Sequence, residues 1–498
     1  LAVKNPGKFS SKSQKSLMKN FVLRLLSLTL VFFVGIELHA QQLISATFIR
    51  NYTKDQVAVF LPIPGLARYD VGVYKIRYTT PDIRGVRDTA SGLMALPLAP
   101  NNSWPILVYQ HGTAGSRESV PSRMSSEASI GFIGASLGYV SVLPDYLGLG
   151  DSRGFHPYVH AATESSAAID MVRAIRQYAT STNLALNGQI FLTGYSQGGH
   201  ASMALHRDME QKFAGEFKVV AAAHLSGPYS ISGDMKNRLL SDAEYFYPAY
   251  TLYTVLSYNM VYNLYEKPEQ FINPPYVEVA KSFFSGSETV LDTIHNRLAR
   301  ILIQQKGKVI PRFIFQDSLV AAIRDNPAHP FNQAMLDNDT YRWAPNAPTR
   351  LFYCKGDDQV IYTNSTVADS VMRALGAKDL QASDINSSFN HGQCVQPALF
   401  STIIFFSFYQ SIQTDIADIP TSRQLYLYPN PAREAVYLDQ LPAGSQVQLW
   451  DFAGRMVRDF GTVEEQSPKI SLQGLQSGMY ILKARAEQGT WSGKLMIE

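Results

Sequence analysis

The chain has 498 residues, 46% hydrophobic and 17% charged, which excludes a mostly disordered protein. At about 100–200 residues per domain, this length suggests roughly two to four folded units. The net charge of +3 is too small for a nucleic-acid binder, and it comes from the first forty residues. Without their six basic residues and one acidic residue, 38 basic and 40 acidic side chains remain, a net charge of −2.

Residues 1–40 read as a secretory signal. Lys19 and Arg24 form a positive flank, Leu25 to Ile36 an apolar run too short for a comfortable membrane span, and Leu38-His39-Ala40 a small-residue cleavage site. Met18 is the expected true start. An amphipathic N-terminal anchor is the alternative. No other segment is long and apolar enough to span a bilayer, so no transmembrane segment is expected in the mature chain.

From Gln41 to Pro105 the pattern alternates, with Val71 to Tyr78 leading into a hairpin that includes Gly92 to Leu96. Apolar strands and helical patterns then take turns. Strands are expected at Ile106–Gln110, Tyr139–Pro144, Gln189–Thr193 and Val219–Leu225. Helices are expected at Ala161–Tyr178, with Ala168, Met171, Val172 and Ile175 on one face, and at Gly198–Lys212. This alternation predicts an α/β fold, a mostly parallel sheet with helices on both faces. It stops at Ser230, and residues to about Asn346 are mostly helical in pattern. Eight tyrosines lie there (245, 247, 250, 253, 258, 262, 265 and 276), either packing a helical insertion or lining an apolar cleft. The sheet pattern resumes at Arg350–Cys354. A helix at Ser365–Leu375, a short strand near Leu380 and a helix at Ala398–Ile412 follow. A polar stretch near Thr414–Arg423 marks a second boundary. Beyond it, short strands punctuated by glycine predict a small all-β sandwich. The expected units are thus a leader at 1–40, an α/β catalytic domain at 41–420 with a helical lid insertion at about 230–346, and a β-sandwich at 423–498.

Two G-x-S-x-G matches occur, Gly194-Tyr195-Ser196-Gln197-Gly198 and Gly134-Ala135-Ser136-Leu137-Gly138. The motif exposes a nucleophile only where a strand ends, the chain turns tightly and a helix begins. Ser196 has a strand before it and a helix after it. Ser136 has the reverse order, which reads as a helix-to-strand loop. Ser196 is therefore the candidate nucleophile. A serine hydroxyl needs a base, and in this strand-turn-helix arrangement the acid and then the histidine follow in the chain. His295 and His329 fall in the insertion. His391, in a polar turn after the last strand, is the candidate base. The acid belongs just after Leu351–Cys354, where Asp357 and Asp358 compete. An Asp-x-x-Val spacing to Val360 favours Asp357, and the other aspartate would cap the turn. The backbone N–H groups of Gln197 and of Thr113, after His111-Gly112, are the candidate oxyanion hole. Cys354 and Cys394 are the two cysteines, three residues from Asp357 and His391 respectively, and are expected to form a disulfide joining acid loop to base loop. No metal-ligand or phosphate-loop motif is present. The glycine-rich Pro144 to Ser152 run reads as a tight loop near the active site.

These residues together resemble the α/β-hydrolase superfamily. The pieces are His111-Gly112, Asp145-Tyr146-Leu147-Gly148-Leu149-Gly150, Gly194 to His200, Gly356-Asp357-Asp358-Gln359-Val360 and Asn390-His391-Gly392. The Pro144-Asp145-Tyr146 loop, His156-Pro157-Tyr158 and the insertion before the acid resemble the secretory-lipase branch. That resemblance covers about 100–412 and implies hydrolysis of carboxylic esters without a cofactor. The tail resembles the C-terminal sorting domain of type IX secretion, through Tyr428-Pro429-Asn430-Pro431-Ala432, Gly454-Arg455, Leu475 to Tyr480 and Gly493 to Ile497. It implies a secreted or cell-surface protein, with the type IX machinery as partner; a carbohydrate-binding sandwich is the alternative. The expected function is a secreted serine esterase or lipase acting on a small-molecule, lipid or polysaccharide ester through a Ser-His-Asp triad and an acyl-enzyme. A serine peptidase of the same fold and a non-catalytic surface-binding protein are the competing readings.

Overall fold

The computed structural model describes residue 2 and residues 43–498, apart from 62, 64, 246, 415–422, 440, 452–454 and 487–488. The expected leader, with its Met18 start, lies outside the described residues, as does most of the polar stretch before the tail.

The central sheet contains β1 (Leu43–Tyr52), β2 (Val71–Pro81), β3 (Arg87–Pro97), β4 (Asn102–Gln110), β5 (Val140–Pro144), β6 (Leu186–Tyr195), β7 (Lys218–Leu225), β8 (Thr349–Tyr353) and β9 (Leu380–Asp384). Their spatial order is β1-β2-β3-β5-β4-β6-β7-β8-β9, with Gln413–Thr414 pairing on β4. Neighbours from β1 to β5 are antiparallel. From β5 to β9 every pairing is parallel. Parallel strands are buried on both faces and therefore read as continuous apolar runs. Alternation still sorts their side chains between two cores. Ile106, Val108, Ile190 and Leu192 point to one face, where they meet Ala168, Met171, Val172 and Ile175 of the helix Ala161–Thr182. Leu107 and Phe191 point to the other face, against Phe405 and Phe406 of the helix His391–Ser407.

That last helix departs from expectation. It starts at His391 rather than Ala398 and ends at Ser407. The reason is a capping box: Gln393 N donates to Asn390 Oδ1, and Asn390 N donates to Gln393 Oε1. These bonds start the helix well before its apolar face becomes visible in the pattern, and Pro397 falls inside it.

Between β7 and β8 lie the helices Lys236–Leu240, Pro248–Tyr262, Pro274–Phe284, Leu291–Lys306, Asp317–Asp325 and Pro330–Asp337. They have their own core, including Leu252, Tyr258, Ile294, Leu298 and Phe331. The tail forms two small sheets. One runs in the order Arg423–Gln424, Gly489–Ile497, Gly478–Ala486, Ser445–Asp451, Met456–Val463, and the other Tyr426–Tyr428, Ala435–Asp439, Lys469–Ser471. Val436, Leu438, Val447, Leu449, Leu482 and Leu495 fill the space between them, as in an all-β sandwich. Among the described residues no helix is long and apolar enough to cross a membrane, and no group of three or more ligating side chains could hold a metal ion.

Two local features position the site. β6 ends at Tyr195, Ser196 adopts φ 60°, ψ −123°, and the helix Gln197–Gln211 begins at once. A side chain on Gly198 would place its Cβ 1.9 Å from the carbonyl oxygen of Gln110, so the turn closes only with glycine there. The second feature is the Cys354–Cys394 disulfide, spanning 40 residues, with both half-cystines fully buried. Gly198→Ala is expected to lose about 2–3 kcal/mol of stability, since backbone rather than a flexible side chain must move; a urea melt equal to wild type would contradict this. Cys354→Ser with Cys394→Ser is expected to lose roughly 3–4 kcal/mol by the chain-entropy relation, read as a lower urea midpoint under non-reducing conditions.

Candidate active site

The backbone turn holds Ser196 at the end of β6. Its N–H donates to the Leu225 carbonyl of the adjacent strand, and the N–H groups of Gly199 and His200 bond back to the Ser196 carbonyl. The N–H of Gln197, first in its helix, has no acceptor among the described residues, as expected for the first turn of a helix. Ser136, in the second motif match, closes a helix and donates its hydroxyl to Ile133 O.

The two aspartates after β8 divide the work around His391. Asp357 Oδ2 lies 2.7 Å from His391 Nδ1, while Asp357 Oδ1 accepts from the N–H groups of Gln359 and Val360 at 2.9 and 2.8 Å. The bond to Val360 is the physical content of the Asp-x-x-Val spacing. Asp358 Oδ1 instead accepts the backbone N–H of His391 at 3.2 Å. A carboxylate on Nδ1 fixes the tautomer with the proton there and leaves Nε2 as the basic atom. Tyr195 packs its ring 4.9 Å from the imidazole and donates its hydroxyl to His391 O at 2.6 Å. The residue before Ser196 thus touches the residue that would serve it. Ser196 Oγ itself makes no hydrogen bond among the described residues, a gap common in substrate-free hydrolases.

Across from His391 runs the loop His111-Gly112-Thr113. A Cβ on Gly112 would come within 3.9 Å of Ser196 Cβ. Glu127 pins this loop by accepting from Gly112 N at 3.0 Å and from Tyr109 Oη at 2.7 Å. Thr113 N, next along, has no acceptor among the described residues. His111 is buried, with Nδ1 2.7 Å from Gly112 O, and Tyr146 Oη donates to His111 O. Its place is structural, and the Pro144–Ser152 loop supports it from behind.

A buried polar network beneath Ser196 has no counterpart in the sequence reading. The side-chain amide of Gln197 donates to His156 Nε2 and to Glu164 Oε1, each at 2.8 Å. Glu164 Oε2 meets His200 Nδ1 at 2.7 Å, and both side chains are fully buried. His200 Nε2 faces the Asn338 carbonyl at 2.9 Å and must donate to it. One further proton therefore lies on the Glu164–His200 line. His156 Nδ1 faces Leu147 O at 2.7 Å, so this ring is a donor there and an acceptor toward Gln197. Burial depresses its pKa to about 3, which keeps it neutral. Asn338 also accepts from Ala161 N and donates to Tyr262 Oη and Ala334 O. It joins the inserted helices to the helices Ala161–Thr182 and Gln197–Gln211. The available signals were a lone glutamate in the Ala/Ser-rich Ala161–Ala168 stretch and a histidine one turn after Ser196.

Ser196 and Gln197 open into a cleft. Its walls are mostly apolar and come from the inserted helices, with Ile231, Leu239, Val255, Phe331 and Met335 among them. Tyr245 and Tyr250 line it too, whereas Tyr258 and Tyr276 are packed in the helical core, so the eight tyrosines serve both purposes.

Residues 125–236 match the family model for "Secretory lipase", and residues 426–498 match "Secretion system C-terminal sorting domain". No curated protein matches the chain. Among solved structures, it is similar to the rice cell wall degrading esterase LipA from Xanthomonas oryzae: 29% identity, TM-score 0.62, covering 73% of this chain and 94% of that one. It is also similar to a hydrolase from Legionella pneumophila, at 26% identity and TM-score 0.65, covering 74% and 98%. Candida antarctica lipase A in its closed state shares the fold at 16% identity and TM-score 0.54, covering 74% and 81%. The chain is thus a carboxylic ester hydrolase of the α/β-hydrolase superfamily, related to the secretory lipases through its catalytic part and marked for export by a type IX sorting domain.

Proposed function

We propose that the chain hydrolyses esters through an acyl-enzyme formed on Ser196, with His391 as base and Asp357 as its orienting carboxylate. The observation that carries this reading is the Asp357–His391 bond beside a serine held at positive φ on the floor of an apolar cleft. Ser196 Oγ attacks the ester carbonyl carbon and its proton passes to His391 Nε2. The carbonyl oxygen becomes an oxyanion, stabilised by the N–H groups of Thr113 and Gln197 and by the first turn of the helix at Gln197. His391 then gives the proton to the departing alcohol. A water enters, loses a proton to His391 and attacks the acyl carbon; the bond to Ser196 Oγ then breaks as His391 returns that proton to Oγ and the acid leaves. The apolar walls suit an acyl chain, and the inserted helices serve as the lid. The esterase acting on rice cell wall makes wall esters a reasonable substrate class to try beside lipid esters.

The test is hydrolysis of p-nitrophenyl esters from acetate to palmitate. Ser196→Ala is expected to lose at least about 10⁴-fold in kcat, and activity retained in it would overturn the reading. Asp357→Asn is expected to lose about 10⁴-fold. Asp358→Asn, which touches only a backbone N–H, should lose less than about tenfold. Equal losses in the two aspartate variants would overturn this division of roles.

The buried imidazoles set an acid limit on the scaffold. Burial lowers the pKa of His156 to about 3 and of His160 to about 4. An unfolded chain takes up these protons below about pH 6.5, while the folded one does not. Stability is therefore complete above pH 6.5 and declines as the pH falls toward 4. His160→Phe should flatten that decline in urea melts at pH 7, 5.5 and 4; an unchanged slope would contradict the assignment.

A further inference from the structure

The cleft beside Ser196 carries charge of one sign. Lys236 and Arg238 are among its lining residues, and no aspartate or glutamate is. Both belong to the short helix Lys236–Leu240. Met235 and Leu239 also line the cleft and, four positions apart, share one face. Lys236 and Arg238 stand on either flank of that apolar row. Both cations are half-buried, and neither has an ion pair among the described residues. Arg238 holds its guanidinium 5.2 Å from the centre of the Tyr245 ring and donates Nη2 to the Glu244 carbonyl. Tyr245 is itself a cleft residue, so the guanidinium is fixed at the wall. That bond uses one of its five N–H donors.

The acids nearby are engaged elsewhere. Asp234 accepts from Thr363 Oγ1 at 2.6 Å, Asp242 from Arg312 Nε at 2.7 Å and Glu244 from Val309 N at 3.4 Å. Asp357 and Asp358 both face His391. Other half-buried cations of this domain have carboxylate partners. Lys75 and Arg123 meet Asp151, Arg173 meets Asp170 and Glu216, and Arg350 meets Asp379. An unpaired cation beside apolar surface gives up hydration without compensation. In a cleft that excludes part of the solvent, it attracts an anion more strongly than it would in open water. An ester of an alkyl acid with a neutral alcohol offers these two groups nothing to bind.

We propose that Lys236 and Arg238 form a carboxylate subsite, so that the preferred substrates are esters carrying a free carboxylate besides the scissile bond. This rests on the reading of Ser196 as nucleophile and narrows its substrate class. The guanidinium fork matches the two oxygens of a carboxylate, and the lysine adds a point charge. Met235 and Leu239 contact the carbon skeleton between the carboxylate and the ester. A diacid half-ester brings the charge on its acyl side, and an acylated sugar acid brings it on its alcohol side. The carboxylate takes no part in bond breaking. It is held equally in the ground and transition states, so its effect falls on KM rather than on kcat.

Two matched pairs of probes distinguish the sides. The acyl pair is p-nitrophenyl hydrogen suberate against p-nitrophenyl octanoate. The alcohol pair is 4-(octanoyloxy)benzoate against 4-(octanoyloxy)benzamide. In at least one pair the carboxylate member is expected to have the lower KM, by about 10- to 100-fold. That advantage should shrink as NaCl is raised from about 20 to about 500 mM. Arg238→Gln and Lys236→Gln should each cut the KM ratio within that pair by about tenfold, and the double variant should remove the advantage. A merely structural role would move both members of a pair together and leave their ratio unchanged. Equal KM within both pairs in the wild type would overturn the proposal, as would an advantage that persists in the double variant. Ser196→Ala assayed on the neutral esters separates the levels. Hydrolysis surviving there overturns the nucleophile itself, whereas loss there with no carboxylate preference in the wild type overturns only the subsite.

Discussion

The contact between Gly198 and the Gln110 carbonyl is the constraint on which the site depends. It forces the helix Gln197–Gln211 to start directly against the end of β4. The chain can meet that demand only by passing through φ 60° at Ser196, a region costly for a residue with a side chain. The strain is sustained because everything around the turn is fixed. Strand pairing holds Tyr195, the Leu225 carbonyl holds Ser196 N, and the helix holds Gln197 and the residues after it. Other parts of the site are arranged relative to this point.

Each partner of Ser196 arrives from a different strand end, and each has its own clamp. The loop after β4 is clamped by Glu127. The loop after β8 is clamped by the backbone bonds of Asp357 and by the close approach of Gly356 to the Phe389 carbonyl, 2.8 Å from where a Cβ would stand. His391, the proposed base, sits at a helix start fixed by a capping box and by Asp358. Under all of these lies the Glu164–His200–Gln197–His156 network. It is buried, and each imidazole nitrogen in it has a partner, whereas Gln197 Oε1 has none among the described residues.

Much of this was legible in the sequence because it is local. A strand, two glycines around a serine and a helix after them are contiguous, so Ser196 could be separated from Ser136 by order alone. The alternation of apolar runs marked the sheet, and the cysteine positions marked the disulfide. What escaped depends on side chains brought together from afar. Glu164 and His200 are 36 residues apart, and Asn338 lies 138 beyond His200. Nothing in a local pattern tells a buried charged side chain from an exposed one. The start of the helix at His391 was missed for a related reason: its first turn is specified by a cap, not by apolar periodicity. The Asp-x-x-Val spacing favoured Asp357, but nothing local showed that Asp358 would accept the backbone N–H of His391, 33 residues away.

The disulfide links this geometry to compartment. Cys394 lies in the first turn of the helix that begins with His391, and Cys354 directly precedes the turn that carries Asp357. Such a bond persists only where thiols are oxidised. Inside the cell that makes it, the chain has the same residues but lacks the staple between acid loop and base loop. The imidazole is then held by its hydrogen bonds and the helix cap alone. Export therefore does more than deliver the protein: it supplies the oxidising surroundings that complete its assembly, so that full rigidity of the hydrolytic apparatus belongs to the outside of the cell.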